Sequence, residues 1–143
     1  MKYILGTDGS SHSLRAARWL VEHMRPGGED EVYLVYVFPL PPDSETFEHL
    51  VSLPRDASDE RVSEVARPVL DRTREALGDL AARVYEVVLV GYPAEEIVTF
   101  ATNRKADLIL TGHRGRGACA EQVLGSVSGA VAHRALCPVL LVR

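Results

Sequence analysis

The residues with the clearest chemical potential lie between Thr111 and Ser128, where the chain reads TGHRGRGACAEQVLGSVS. Gly112 is followed after two residues by Gly115, and after nine more by Gly125-Ser126. Glycine serves where a backbone must turn sharply or let a ligand approach closely. An apolar run, Asp107 to Thr111, leads in, and a small and apolar run, Val127 to Leu136, leads out. Strand, glycine loop, helix is the order this predicts. A loop opening into a helix offers unpaired N–H groups and the positive end of the helix dipole, which suits phosphate. Ser126 and Ser128 add hydroxyls there, as caps or as donors to a phosphate. The competing reading is a glycine-rich connection that only turns the chain, with Arg114 and Arg116 as solvated loop residues. Asp8, in the cluster Asp8-Gly9-Ser10, is a second candidate. It ends a short apolar run and precedes a helix, the usual ligand edge of a doubly wound sheet, although a turn or capping role would also explain it.

Charge placement agrees with a small polyanion site. The 143 residues carry a net charge of −4. From Gly112 to Arg143 there are four arginines and one acid, Glu121, so this segment is +3 and the remainder −7. An acidic chain is a poor general nucleic-acid binder, which needs a strongly basic face. Several phosphate and catalytic motifs are excluded. Lys2 and Lys105 are the only lysines, so there is no Walker A Gly-Lys-Ser/Thr. Gly115-Arg-Gly117-Ala-Cys-Ala120 fits a dinucleotide fingerprint, but that fingerprint opens the first strand–helix unit and is followed by a ribose-binding acid. Here no acid follows Glu121. Gly125-Ser-Val-Ser-Gly129 puts its serines on either side of the nucleophile position of G-x-S-x-G. The five histidines form no H-E-x-x-H. Cys119 and Cys137 form neither a redox pair nor a zinc pattern.

These residues need elements to position them. Tyr3–Thr7 reads as a buried strand, and Ser10 as the cap of a helix with Leu14, Ala17, Val21 and Met24 on one face, stopped at Pro26-Gly27-Gly28. Glu31–Phe38 is a second strand, ended by Pro39, Pro41 and Pro42. Residues 43–57 are polar and read as an irregular loop. A long helix is predicted from Ser58, with Val62, Val65, Val69, Thr73, Ala76, Leu77 and Leu80 apolar-facing; Pro68 should kink it or mark its first turn. Arg83–Val90 is a third strand. Pro93 opens a helix with Ala94, Ile97, Val98 and Ala101 inward. Leu108–Thr111 and Pro138–Val142 are the fourth and fifth strands. Strict alternation of strand and helix predicts an α/β fold with a parallel sheet buried on both faces, in one domain spanning residues 1–143.

Taken in order, these blocks resemble the universal stress protein family, ATP-binding type. The resemblance rests on Ile4-Leu-Gly-Thr-Asp-Gly-Ser10, Val35-Tyr-Val37, Gly91-Tyr-Pro-Ala-Glu-Glu-Ile97, Ala106-Asp-Leu-Ile-Leu-Thr-Gly112 with the spaced glycines after it, and Cys137-Pro-Val-Leu-Leu-Val142. It implies a Rossmann-like five-stranded sheet of order 3-2-1-4-5, with ATP across the ends of strands one and four. Asp8 and Val37 would hold the nucleoside, Gly112 the ribose, and Gly115, Gly125, Ser126 and Ser128 the phosphates. Thr7, Thr111, His113, Arg114 and Val127 complete the candidate lining. His113 departs from the small residue usual there, and would either crowd or contact the triphosphate. Magnesium would be held mainly by the phosphates. No residue stands out as a general base, so a nucleotide-dependent switch in stress response is favoured over an ATPase. The alternatives are a weak ATPase, or a member that acts through partners without nucleotide.

Further expectations follow for surroundings and assembly. No run is long enough for a transmembrane helix, the N-terminus lacks a signal-peptide pattern, and the cysteine usage suits a reduced, cytoplasmic setting. The resemblance places the apolar strand 138–142 at a sheet edge, where pairing with a second copy would give a homodimer.

Overall fold

The computed structural model describes residues 1–40, 60–115 and 124–143. The loop expected over 43–57, the helix start at Ser58, and Arg116, Cys119 and Glu121 lie outside the described residues. Strands β1 (Lys2–Thr7), β2 (Glu31–Pro39), β3 (Val84–Gly91), β4 (Leu108–Gly112) and β5 (Val139–Val142) form one sheet of order β3-β2-β1-β4-β5. Every pairing is parallel. The order is the one the resemblance implied.

Parallel strands need long return connections, and the helices supply them: α1 (Ser11–Trp19), α2 (Glu60–Leu77), α3 (Pro93–Arg104) and α4 (Ser126–Arg134). Side chains alternate across a strand, so each central strand feeds two cores. Tyr3, Leu5, Val32, Leu34, Tyr36 and Leu110 pack with Ala16, Ala17 and Leu20 from α1 and its continuation, and with Ala66, Val69, Leu70 and Leu77 of α2. Ile4, Tyr33, Val35, Val37 and Ile109 pack with Ile97 and Ala101 of α3 and Val131 of α4. The ends of the elements follow local rules. Ser10 caps α1, its side chain accepting from the Ser13 N–H. A wider π turn, Leu20–Met24, extends that helix and ends on Arg25 in the left-handed region. Pro93 stands in the first turn of α3, and Lys105 closes it left-handed.

α2 differs from its sequence reading in two respects. Pro68 does not mark its first turn but stands inside the helix. Proline gives no N–H to the helical ladder, but Pro68 lies on the exposed side, where water can serve the carbonyl it leaves. The buried stripe is Val62, Ala66, Val69, Leu70, Thr73 and Leu77, whereas Val65, expected inward, is 47% exposed.

The two sheet edges are unlike. On β3, Glu86 pairs with Arg74 at 2.7 Å and with Arg67 at 3.2 Å, and Tyr85 stacks beside Tyr33, over which Arg104 sits. β5 reads Val-Leu-Leu-Val, with no charge inside it.

Candidate functional site

The carboxyl ends of β1, β2 and β4 open into a cavity of about 370 Å³, within the size range of small-molecule sites. It lies where the chain order reverses, since β1 leads outward to β2 on one side and is flanked by β4 on the other. Thr7, Asp8, Val37, Thr111, Gly112, Arg114, Gly115, Gly125, Ser126, Val127 and Ser128 all line it. Sequence reasoning missed Gly6, Ser13, Tyr36, Pro39, Pro93 and Ile97. Pro39 could have been found from Val37, because residues two apart on a strand share a face. Ile97 comes from α3 and required the three-dimensional packing.

The β1 side of the cavity is built from side chains. Gly9 is left-handed at φ 73°, which reverses the chain after Asp8. The Ser10 N–H then donates back to Asp8 Oδ1 at 2.9 Å, and the Gly9 N–H donates to Thr7 Oγ1 at 3.2 Å. The carboxylate is thereby turned across the cavity. A Cβ placed on Gly115 would lie 2.7 Å from Asp8 Oδ2, so glycine at 115 is what lets the two sides meet.

The β4 side is built from backbone. Gly112 supports the start of α1 so closely that a Cβ there would lie 2.6 Å from the His12 carbonyl carbon. Gly125 is the N-cap of α4, and no side chain caps that helix. Its ladder begins with the Gly129 N–H donating to Gly125 O at 2.9 Å. The N–H groups of Ser126, Val127 and Ser128 come before that first bond and stand at the positive end of the helix dipole. A Cβ on Gly125 would lie 3.1 Å from Arg114 Cα and 3.4 Å from Gly115 N, tight enough to press the loop into the cavity. The Ser128 hydroxyl is committed inward. It donates to His113 O at 2.6 Å and lies 3.1 Å from Gly125 O, which leaves its lone pairs, not its proton, for a ligand.

His113 is the candidate whose side chain does not line the cavity. Its Nδ1 is 3.2 Å from Val142 O, and its ring stands edge-on to His12, centroids 4.5 Å apart. What His113 gives the site is its peptide. Its N–H donates to Val142 O at 2.9 Å, and its carbonyl accepts from Gly125 N at 2.8 Å. Burial, then the neighbouring His113, Arg15 and Arg114, hold the His12 pKa below its ordinary 6.5, with Asp8 opposing them.

Comparison with known proteins fits this geometry. A sequence model of the universal stress protein family matches residues 1–143. The chain belongs to the universal stress protein family. Universal stress protein MJ0531 of Methanocaldococcus jannaschii is 34% identical over 146 residues, covering 99% of this chain and 81% of that one. A universal stress protein crystallised in complex with cAMP is 26% identical, with a TM-score of 0.65 over 100% of this chain and 96% of that one. The universal stress protein from Archaeoglobus fulgidus in complex with dAMP is 25% identical, with a TM-score of 0.68 over 100% of this chain and 98% of that one. Among the described residues no helix is long and apolar enough to cross a membrane. Nor does any group of three or more His, Cys, Asp and Glu side chains among them suit a metal ion.

Proposed function

We propose that this universal stress protein binds an adenine nucleotide, ATP in the first instance, in the cavity at the ends of β1 and β4. The observation that carries the reading is convergence: residues chosen for nucleotide chemistry at positions 7–8, 37, 111–112, 114–115 and 125–128 line one cavity. The base enters the apolar end among Val37, Pro39, Pro93 and Ile97. Asp8 accepts from nucleoside hydroxyls or amine, and the phosphates reach the bare N–H groups of the first α4 turn, beside Ser126 and Arg114. Magnesium, when present, rides on the phosphates. The cAMP and dAMP complexes of the two related proteins support an adenine ligand and make the phosphate count the open variable. Isothermal titration with ATP, AMP, cAMP and GTP tests this: an adenine ligand binds and GTP does not. Absence of binding by all three adenine nucleotides overturns it.

The same site is read as a switch in stress signalling, with slow or absent hydrolysis. Phosphoryl transfer is normally driven by cations clamped on the phosphates and a positioned water. Arg114 is the one cationic side chain among the described lining residues, and no lysine joins it. Phosphate release on the order of one per second or faster, an ordinary enzyme rate, would make the protein an ATPase instead.

A homodimer across β5 completes the reading. An edge of Val-Leu-Leu-Val without charge invites pairing, and two copies about a twofold axis satisfy both edges at once. Sedimentation of the wild type as a dimer, and of Leu141→Lys as a folded monomer, is the expected pair of results.

A further inference from the structure

The buried stripe of α2 packs on the sheet with apolar side chains, except that its centre carries Thr73, fully buried. Valine has the same shape, and a buried hydroxyl is costly unless hydrogen-bonded. Thr73 is bonded twice. It donates to Val69 O at 2.8 Å, the local bond open to any helical threonine. It also lies 2.8 Å from Thr7 Oγ1, 66 residues away in sequence. A hydroxyl has one proton. With that of Thr73 on Val69 O, the Thr7 proton faces two acceptors, Thr73 Oγ1 at 2.8 Å and Ser13 Oγ at 3.2 Å.

The oxygen of Thr7 is the anchor of the turn that presents Asp8. It accepts the Gly9 N–H at 3.2 Å, at the left-handed residue. The next amide, that of Ser10, holds the Asp8 carboxylate. Ser13 Oγ, 3.2 Å from Thr7 Oγ1, gives its own proton to Ser10 O at 3.0 Å. Its lone pairs face the hydroxyls of Thr7 and Ser10, at the edge of the cavity it lines. Among the described residues α2 contributes nothing to that lining, yet through one hydroxyl it fixes the rotamer of Thr7 and, through Thr7, the turn.

We propose that Thr73 is a positioning residue for nucleotide binding, acting from α2 through Thr7 on the Asp8 turn. This rests on the adenine-nucleotide reading of the cavity. Thr73→Val keeps the shape and removes the hydroxyl, and Thr73→Ser restores it. A net hydrogen bond is worth about 0.5–1.5 kcal/mol, so Thr73→Val should weaken ATP roughly two- to tenfold with an unchanged circular dichroism spectrum. Thr73→Ser should stay within about twofold of wild type. In an Asp8→Asn background the valine change should add little, because coupled residues are not additive. Amide hydrogen exchange on the ligand-free protein is the independent reading: Thr73→Val should speed exchange at Gly9 and Ser10, and Thr73→Ser should not. Thr73→Ala serves the same comparison should the valine variant fail to fold. If wild type binds no adenine nucleotide while exchange behaves as expected, the cavity reading falls and the positioning role stands. Unchanged exchange at Gly9 and Ser10, or fully additive losses with Asp8→Asn, overturns the proposal.

Discussion

The two sides of the cavity are made of different material. On the β1 side, Thr7, Asp8 and Ser13 face the ligand space, and the hydroxyls are tied together as far as Thr73. On the β4 side, glycine backbone and the opening turn of α4 do the work. There, even the side chains that look useful are turned elsewhere: His113 outward to β5, the Ser128 proton inward to a carbonyl. Side chains discriminate by shape and hydrogen-bond pattern, and they lose that ability when their rotamers loosen. Bare backbone amides accept any anion of the right size and cannot be removed by substituting a side chain. Under the proposed function the difference amounts to a division of labour, in which one side would select the nucleoside and the other would receive charge.

Breaking the junction between the two sides should have the largest effect. Gly115→Val forces a side chain onto Asp8 Oδ2, and ATP affinity should fall by more than a hundredfold with the fold retained by circular dichroism. The division itself is sharpened by a pair of variants titrated with adenosine and with ATP. Asp8→Asn should weaken both by the same factor, about tenfold for one charge-assisted hydrogen bond. Gly125→Ala, which presses on Arg114 and Gly115, should weaken ATP severalfold and leave adenosine within about twofold. Equal losses for both ligands in both variants would dissolve the division.

Smaller effects follow from the histidines behind the β4 side. The His12 pKa is depressed in the folded protein, so the unfolded chain binds the extra proton more readily. Its contribution to stability is complete above pH 6.5, the unfolded value, and is lost as pH falls from there toward the folded pKa. Urea denaturation of His12→Gln should show a shallower loss of stability below pH 6.5 than wild type. The smallest effect is expected of His113→Ser, because the imidazole does not line the cavity while the peptide at 113 is kept. ATP affinity should change by less than about threefold, and a tenfold tightening would show that the ring does reach the phosphates.

The same contrast explains what could be read from the sequence. The backbone side was legible because glycine is a direct record of space: Gly115 and Gly125 are where a Cβ would meet Asp8 or Arg114. The strands were legible because both faces are buried, which leaves continuous apolar runs, and their order came with the family resemblance. The helix ends at Ser10 and Pro93 followed from capping and proline chemistry. The side-chain network was not legible. Thr73 counted as one more position on an apolar stripe, since nothing local marks a hydroxyl bonded to a residue 66 positions away. Ser128 could be assigned a cap or a phosphate, but the carbonyl that takes its proton belongs to His113, fifteen residues before it. The phase of α2 slipped at Val65 because valine's hydrophobicity says nothing of the side it faces.

The peptide plane at His113 is also a place to listen. Its N–H reports on Val142, the last residue of the edge strand, and its carbonyl reports on Gly125 and Ser128, where the first turn of α4 begins. Amide proton and carbonyl carbon shifts both move with hydrogen-bond length, so labelled His113 gives two signals from one residue. Titrating nucleotide while watching the amide, and diluting the protein while watching the carbonyl, would show whether a disturbance at either end is felt at the other. Beyond the isotopes no dye or added probe is needed, because the chain has placed a spectroscopic window between its cavity and its outer strand.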